Sequence, residues 1–111
     1  MQTTKIGNLG EQLAAEELSR QGYKIIERNW KNKLAEIDII ALKNEVTYFI
    51  EVKYRSTTNQ GEGFDYITNN KLQHMKRAAE LWVSVHNWLG EMELLAVAVS
   101  GDGNVEITEV I

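Results

Sequence analysis

The sequence predicts an α/β fold: a central mixed sheet with a helix on each face and the element order αβββαββ. Three observations lead there. Two long segments carry helical apolar spacing and each runs into a glycine. Five shorter segments are rich in β-branched and aromatic residues. The chain has 111 residues, 43% hydrophobic and 25% charged, which suits one folded domain and is too apolar for a disordered chain.

Each element has its own local reason. Residues 3–21 read as the first helix, stopped by Gly22. Residues 23–30 read as a strand. Residues 35–42 and 46–54 flank Lys43-Asn44-Glu45, a short polar connection that suits a hairpin. Residues 55–66 are polar, with Gly61 and Gly63, and read as a loop. Thr68 suits the cap of a second helix whose apolar positions are Leu72, Met75, Ala79, Trp82, Val85 or His86, and Leu89, with Gly90 as its stop. Residues 93–99 form an apolar strand. Gly101-Asp102-Gly103 turns the chain into a last alternating strand, Val105 to Ile111.

Composition excludes several chemistries. Without cysteine there are no disulfides, no thiol catalysis and no cysteine-ligated metals. His74 and His86 lie about 18 Å apart on one helix at about 1.5 Å per residue, too far to share an ion, and both read as structural or surface residues. Ser56, Thr57 and Thr58 have no triad partners in pattern. Gly61-Glu62-Gly63 lacks the Lys-Ser/Thr of a phosphate loop. Trp82 and Trp88 read as core or interface aromatics. No apolar run approaches the roughly 20 residues of a membrane span, and the N-terminus does not resemble a secretory leader. The expectation is a single cytoplasmic domain over residues 1–111.

The net charge of −4 argues against a nucleic-acid partner, but the acids are unevenly placed. From Gly90 onward there are five acids and no Lys or Arg, leaving eleven acids against twelve bases in residues 1–89. Two basic groupings stand out: Lys24, Arg28, Lys31, Lys33, and then Lys71, Lys76, Arg77. Either they are solvated faces or they track a polyanion.

The strongest chemical signal lies in the hairpin. If the chain turns at Asn44-Glu45, Lys43 pairs with Val46, and the same register sets Asp38 opposite Glu51 and Glu36 opposite Lys53. Two ionised acids at roughly 5 Å repel by on the order of 3 kcal/mol at an effective dielectric of about 20. They need a cation. Lys53 offers one charge; Mg²⁺ offers two and prefers hard oxygen ligands. The competing explanation is an edge strand whose Glu51, Lys53 and Glu36 satisfy one another.

The first helix adds an acid. Gly7, Glu11, Ala14, Ala15 and Leu18 share a stripe, and Glu11 is its only charge, aimed at the sheet. The alternative is an acid stabilised by the helix dipole. Ile6, Leu9 and Leu13 form a second stripe, buried or facing a partner.

Gly10-Glu11, the stretch Ala35-Glu36-Ile37-Asp38-Ile39-Ile40-Ala41, Ile50-Glu51-Val52-Lys53-Tyr54-Arg55, and Tyr66-Ile67-Thr68 with Lys71 together resemble the bacterial YraN-like family of small proteins. That family is similar to the PD-(D/E)xK nuclease superfamily and, within it, to archaeal Holliday junction resolvases. The resemblance covers nearly the whole chain. It implies a restriction-endonuclease-like three-layer α/β/α fold and a phosphodiesterase dependent on Mg²⁺ or Mn²⁺. Asp38 and Glu51 would then be metal ligands, joined by the main-chain carbonyl of Val52, with Glu11 completing the acidic site. Lys53 would activate water or steady the phosphate. Arg28, Lys31, Lys33, Arg55 and Lys71 would contact nucleic acid, with duplex or branched DNA as the partner. Ile37 replaces the superfamily's Pro and Ala35 the family's usual Gly, and neither position supplies a ligand. A non-catalytic module that keeps the fold and binds nucleic acid or protein is the rival expectation. A homodimer through the second helical stripe or the last strand is a further one.

Overall fold

The structure, a computed structural model, describes residues 2–33, 36–55 and 68–110, with residues 2–8 and 55 described by their backbone alone. The elements are α1 (Gln2–Arg20), β1 (Lys24–Lys31), β2 (Glu36–Lys43), β3 (Val46–Arg55), α2 (Asn69–His86), β4 (Glu91–Ser100) and β5 (Val105–Glu109). The predicted order is observed. The loop expected over 55–66 lies outside the described residues, apart from Arg55, which ends β3.

The five strands lie side by side in chain order, antiparallel except for β3 and β4, which run parallel. A parallel pair needs a connection that crosses the sheet, and α2 lies in it. On one face α1 buries Ala14, Ala15 and Leu18 against Ile39, Ala41, Ile50, Leu95, Val97 and Val99. On the other, α2 buries Met75, Ala78, Ala79 and Trp82 against Ile37, Ile40, Phe49 and Leu94. This is the three-layer α/β/α architecture of restriction-endonuclease-like proteins. β3 and β4 are covered on both faces, which is why both read as near-continuous apolar runs.

Small side chains let α1 come close. A Cβ added at Gly10 would meet Tyr54 Cβ at 3.1 Å. The helix ends as expected: Gly22 takes φ +97°, and the Tyr23 N–H donates to the Leu18 carbonyl at 3.0 Å. The second stripe of α1 is not buried throughout. Leu9 is 52% exposed, Leu13 packs against the core, and the side chain of Ile6 lies outside the described residues.

The start of α2 is as predicted, with Thr68 Oγ1 accepting from the Lys71 N–H at 3.1 Å. Its end is earlier. Asn87 takes a left-handed conformation (φ 55°, ψ 40°) and terminates the helix, not Gly90. Asn tolerates that region through its short polar side chain. Leu89, expected on the buried face, is therefore beyond the helix and 97% exposed, while Val85 is 61% exposed. Gly90 has another use: a Cβ there would collide with the Trp88 ring at 2.5 Å. Trp88 itself donates its indole N–H to the Glu91 carbonyl at 2.9 Å. Among the described residues, no helix is long and apolar enough to cross a membrane.

The β2–β3 hairpin turns on two residues, Asn44 (φ 52°) and Glu45 (φ 67°). Two consecutive positive φ values make a turn whose twist matches the strands, and glycine is favoured at its second position. Glu45 carries the steric cost of a Cβ there. Glu45→Gly should therefore stabilise the fold by about 0.5–1 kcal/mol, read as a higher urea midpoint with unchanged slope; a lower midpoint would refute the turn assignment.

Candidate metal and phosphate site

The predicted hairpin register holds from Lys43↔Val46 to Ile39↔Ile50. The β2–β3 ladder stops there. β2 stays paired with β1 down to Lys31↔Glu36, and β3 stays paired with β4 up to Arg55↔Ser100. The sheet thus forks between β2 and β3, with Asp38 on one prong and Glu51 on the other. The predicted Glu36–Lys53 pairing lies beyond the fork and is not made in the ladder.

The alternation of side chains changes at the same level. Ile39 belongs to the α1-side core, yet both Ile40 and Ile37 belong to the α2-side core. On β1, Arg28 reaches α1 while Trp30 packs on the α2 side. Between them Asn29 adopts φ 55°, a conformation Asn accommodates more easily than most residues. The irregularity on both strands turns Asp38 out of the regular ladder. Its Oδ2 accepts the Val52 N–H at 2.8 Å, so a side chain supplies the acceptor that a backbone partner would otherwise provide.

Asp38 and Glu51 line one cleft of about 240 Å³, together with Glu36, Lys71, His74 and Met75. The expectation that the two acids share a side of the sheet agrees with this geometry. Burial, first, and then the nearby Glu51 raise Asp38 from the ordinary aspartate value to about 7; the Val52 N–H opposes the rise, and Glu11 and Glu36 add to it. Glu51 has an ammonium beside it, Lys71 Nζ at 3.0 Å from Oε2.

The other named residues are distributed around this cleft. Glu11 lies on α1, across the sheet from α2, close enough to Asp38 to act on its charge but not lining the cleft. Its Oε1 is buried without a hydrogen-bond partner, and Arg28 Nη2 is 3.7 Å away. Arg28 also donates to Gln12 Oε1 at 3.1 Å, so it is engaged on the α1 face and not beside Lys71. Lys31, Lys33 and Lys53 are exposed. Val52 packs partly into the α1-side core, and the side chain of Arg55 is outside the described residues. His74, read from sequence as a bystander, lines the cleft. Its three-residue spacing from Lys71 on one helix was the available signal. His86 has a structural place, stacked on Trp82 at 4.1 Å with Nδ1 2.9 Å from the Trp82 carbonyl.

The donor chemistry fits a hard divalent cation: carboxylate oxygens from separate strands line one cleft, and the aspartate among them is raised by burial and then by neighbouring negative charge. Among the described residues, no three His, Cys, Asp or Glu side chains are gathered into a complete ligand cluster. The arrangement as it stands offers Asp38 and Glu51.

A raised carboxyl binds its proton more tightly folded than unfolded. Its contribution is present below about pH 4 and is lost as the pH rises towards 7. Asp38→Asn, whose amide oxygen still accepts the Val52 N–H, should therefore stabilise the metal-free protein at pH 8 by on the order of 3 kcal/mol, and by much less at pH 4. Urea unfolding at the two pH values in EDTA measures the difference; an equal effect at both would show that Asp38 is ionised without strain.

Comparison with known proteins places this chain in a family. Residues 10–105 match the family described as "Uncharacterised protein family UPF0102". A UPF0102 protein of Cytophaga hutchinsonii is 39% identical over 102 residues, which cover 92% of this chain and 90% of the relative. One from Fusobacterium nucleatum is 43% identical over 83 residues, covering 75% and 70%. One from Mycobacterium marinum is 35% identical over 109 residues, covering 94% and 89%. The matched span contains the α1 acid, the forked hairpin and α2, so by sequence the chain belongs to the UPF0102, or YraN-like, family.

Proposed function

We propose that this protein is a divalent-metal-dependent endonuclease-like protein that acts on DNA, duplex or branched, by hydrolysing phosphodiester bonds. The observation that carries the reading is the convergence of Asp38 and Glu51 on one cleft at the fork of the sheet, where Asp38 is raised to about 7. Ordinary solvated acids have no reason to be held this way. Their relation to the fold of a nuclease-like family supports the same reading.

Asp38 and Glu51 would hold Mg²⁺ or Mn²⁺, with the Val52 carbonyl as a third oxygen. Glu11 would contribute negative charge from behind Asp38. Such an ion, when bound, lowers the pKa of water and polarises a phosphodiester oxygen. Lys53, two residues past Glu51 on the same strand, would donate to the phosphate as negative charge grows on it. Lys71 and His74 form the α2 wall of the cleft and suit phosphate oxygens, while Lys31, Lys33 and Arg55 would extend the contact along the nucleic-acid backbone.

A non-catalytic binding module is favoured by two observations. Among the described residues no three ligand-type side chains are gathered, and a net charge of −4 gives little long-range pull on DNA.

Two measurements decide between the readings. Calorimetric titration with Mn²⁺ should give heat with the wild type and none with Asp38→Ala; the same absence of heat in both, with duplex DNA present as well as without it, would remove the metal site. Labelled duplexes and four-way junctions should be cut by the wild type. Lys53→Ala should reduce cutting by about 10²–10³-fold with DNA binding retained. Salt-dependent DNA binding that ignores Mn²⁺, without cleavage, would select the binding module.

A further inference from the structure

We infer that Lys71 is a displaceable resident counter-ion: it neutralises Glu51 in the resting cleft, and a nucleic-acid phosphate that draws it away makes Glu51 available to a divalent cation. The inference rests on the proposed function above and adds an order to it, phosphate before or together with metal.

The pair is asymmetric. The Glu51 side chain is 13% exposed and that of Lys71 is 43% exposed, with 3.0 Å between Nζ and Oε2. The carboxylate is therefore fixed in the cleft wall, while the ammonium stands towards its mouth. A lysine is a mobile point charge on a four-carbon stem, and a pair with one solvated partner is weak enough to exchange. The backbone beneath it stays put, because the Lys71 N–H is held by the Thr68 cap. Only the stem has to move.

Charge makes the exchange selective. A divalent ion approaching Glu51 meets an ammonium already on that carboxylate and is repelled by it. A phosphate at the cleft mouth competes for the same ammonium; the first turn of α2 adds no acid, while Glu36 and Asp38 in the same cleft oppose the phosphate until a divalent cation offsets them. Each phosphate–Lys71 contact therefore exposes a carboxylate, and the two ligands favour each other reciprocally.

Mn²⁺ binding followed by electron paramagnetic resonance at fixed ionic strength tests this, with and without a duplex oligonucleotide. Glu51→Gln plus duplex defines the uptake of Mn²⁺ by DNA itself. Without DNA, Lys71→Met should bind Mn²⁺ about tenfold more tightly than the wild type. The duplex should tighten wild-type binding by a similar factor and leave Lys71→Met unchanged. Lys71→Arg, which keeps the charge, should behave as the wild type. Equal Mn²⁺ affinity in wild type and Lys71→Met, or equal tightening by DNA in both, overturns the counter-ion role, while a signal still lost in Asp38→Ala would leave the metal site standing. No Mn²⁺ binding in any variant overturns both.

Discussion

The arrangement of the candidate site depends on one hydrogen bond, from the Val52 N–H to the carboxylate of Asp38. Where β2 and β3 part, a backbone donor is left without its ladder partner, and a buried donor without an acceptor is costly. Asp38 supplies the acceptor from its side chain. The strands can then separate without leaving that group unsatisfied, and the space they open holds the cleft. The bond also ties the aspartate in a buried position beside Glu51, which is what raises it. Fold irregularity and unusual charge are two sides of the same contact.

Much of this was legible in the residues. The hairpin turn fixed the register from Lys43↔Val46 to Ile39↔Ile50, one residue short of the direct Asp38–Glu51 pairing that counting predicts; the two acids nonetheless line one cleft. The small residues Ala14 and Ala15 on the Glu11 stripe signalled a helix packed close on a sheet. What was not legible depended on backbone conformations that composition does not encode. Nothing in Trp82-to-Gly90 announces that Asn87 ends the helix, because glycine is the stronger stop signal and Asn takes the left-handed position only in context. The fork was equally hidden: strand periodicity predicts continued pairing through Asp38, whereas Asn29 on the neighbouring strand changes which way the side chains point.

The two helices serve the site differently. α2 contributes side chains to the cleft wall, Lys71 and His74, from its first turns. Its later turns are anchored by Trp82, which is buried against Phe49 and donates its indole N–H to Glu27 of β1 at 3.0 Å. A polar bond across the α2–sheet interface specifies one seating of the helix where apolar contacts alone would permit sliding. α1 contributes from the opposite face an acid with one buried carboxylate oxygen, Glu11, and Arg28 stands near that unsatisfied oxygen.

The close approach at Gly10 has an evolutionary consequence. Tyr54 sits against its backbone near the end of β3, and Glu11 is the next residue along α1. Any side chain at position 10 lifts this end of the helix, and the lift is transmitted to the neighbouring acid with almost no leverage lost. Glu16 and Ser19 are exposed and are free to drift. Divergence in this lineage should thus be tolerated over most of the outward surface of α1 and arrested at one hydrogen-sized side chain, whose whole contribution is to be absent.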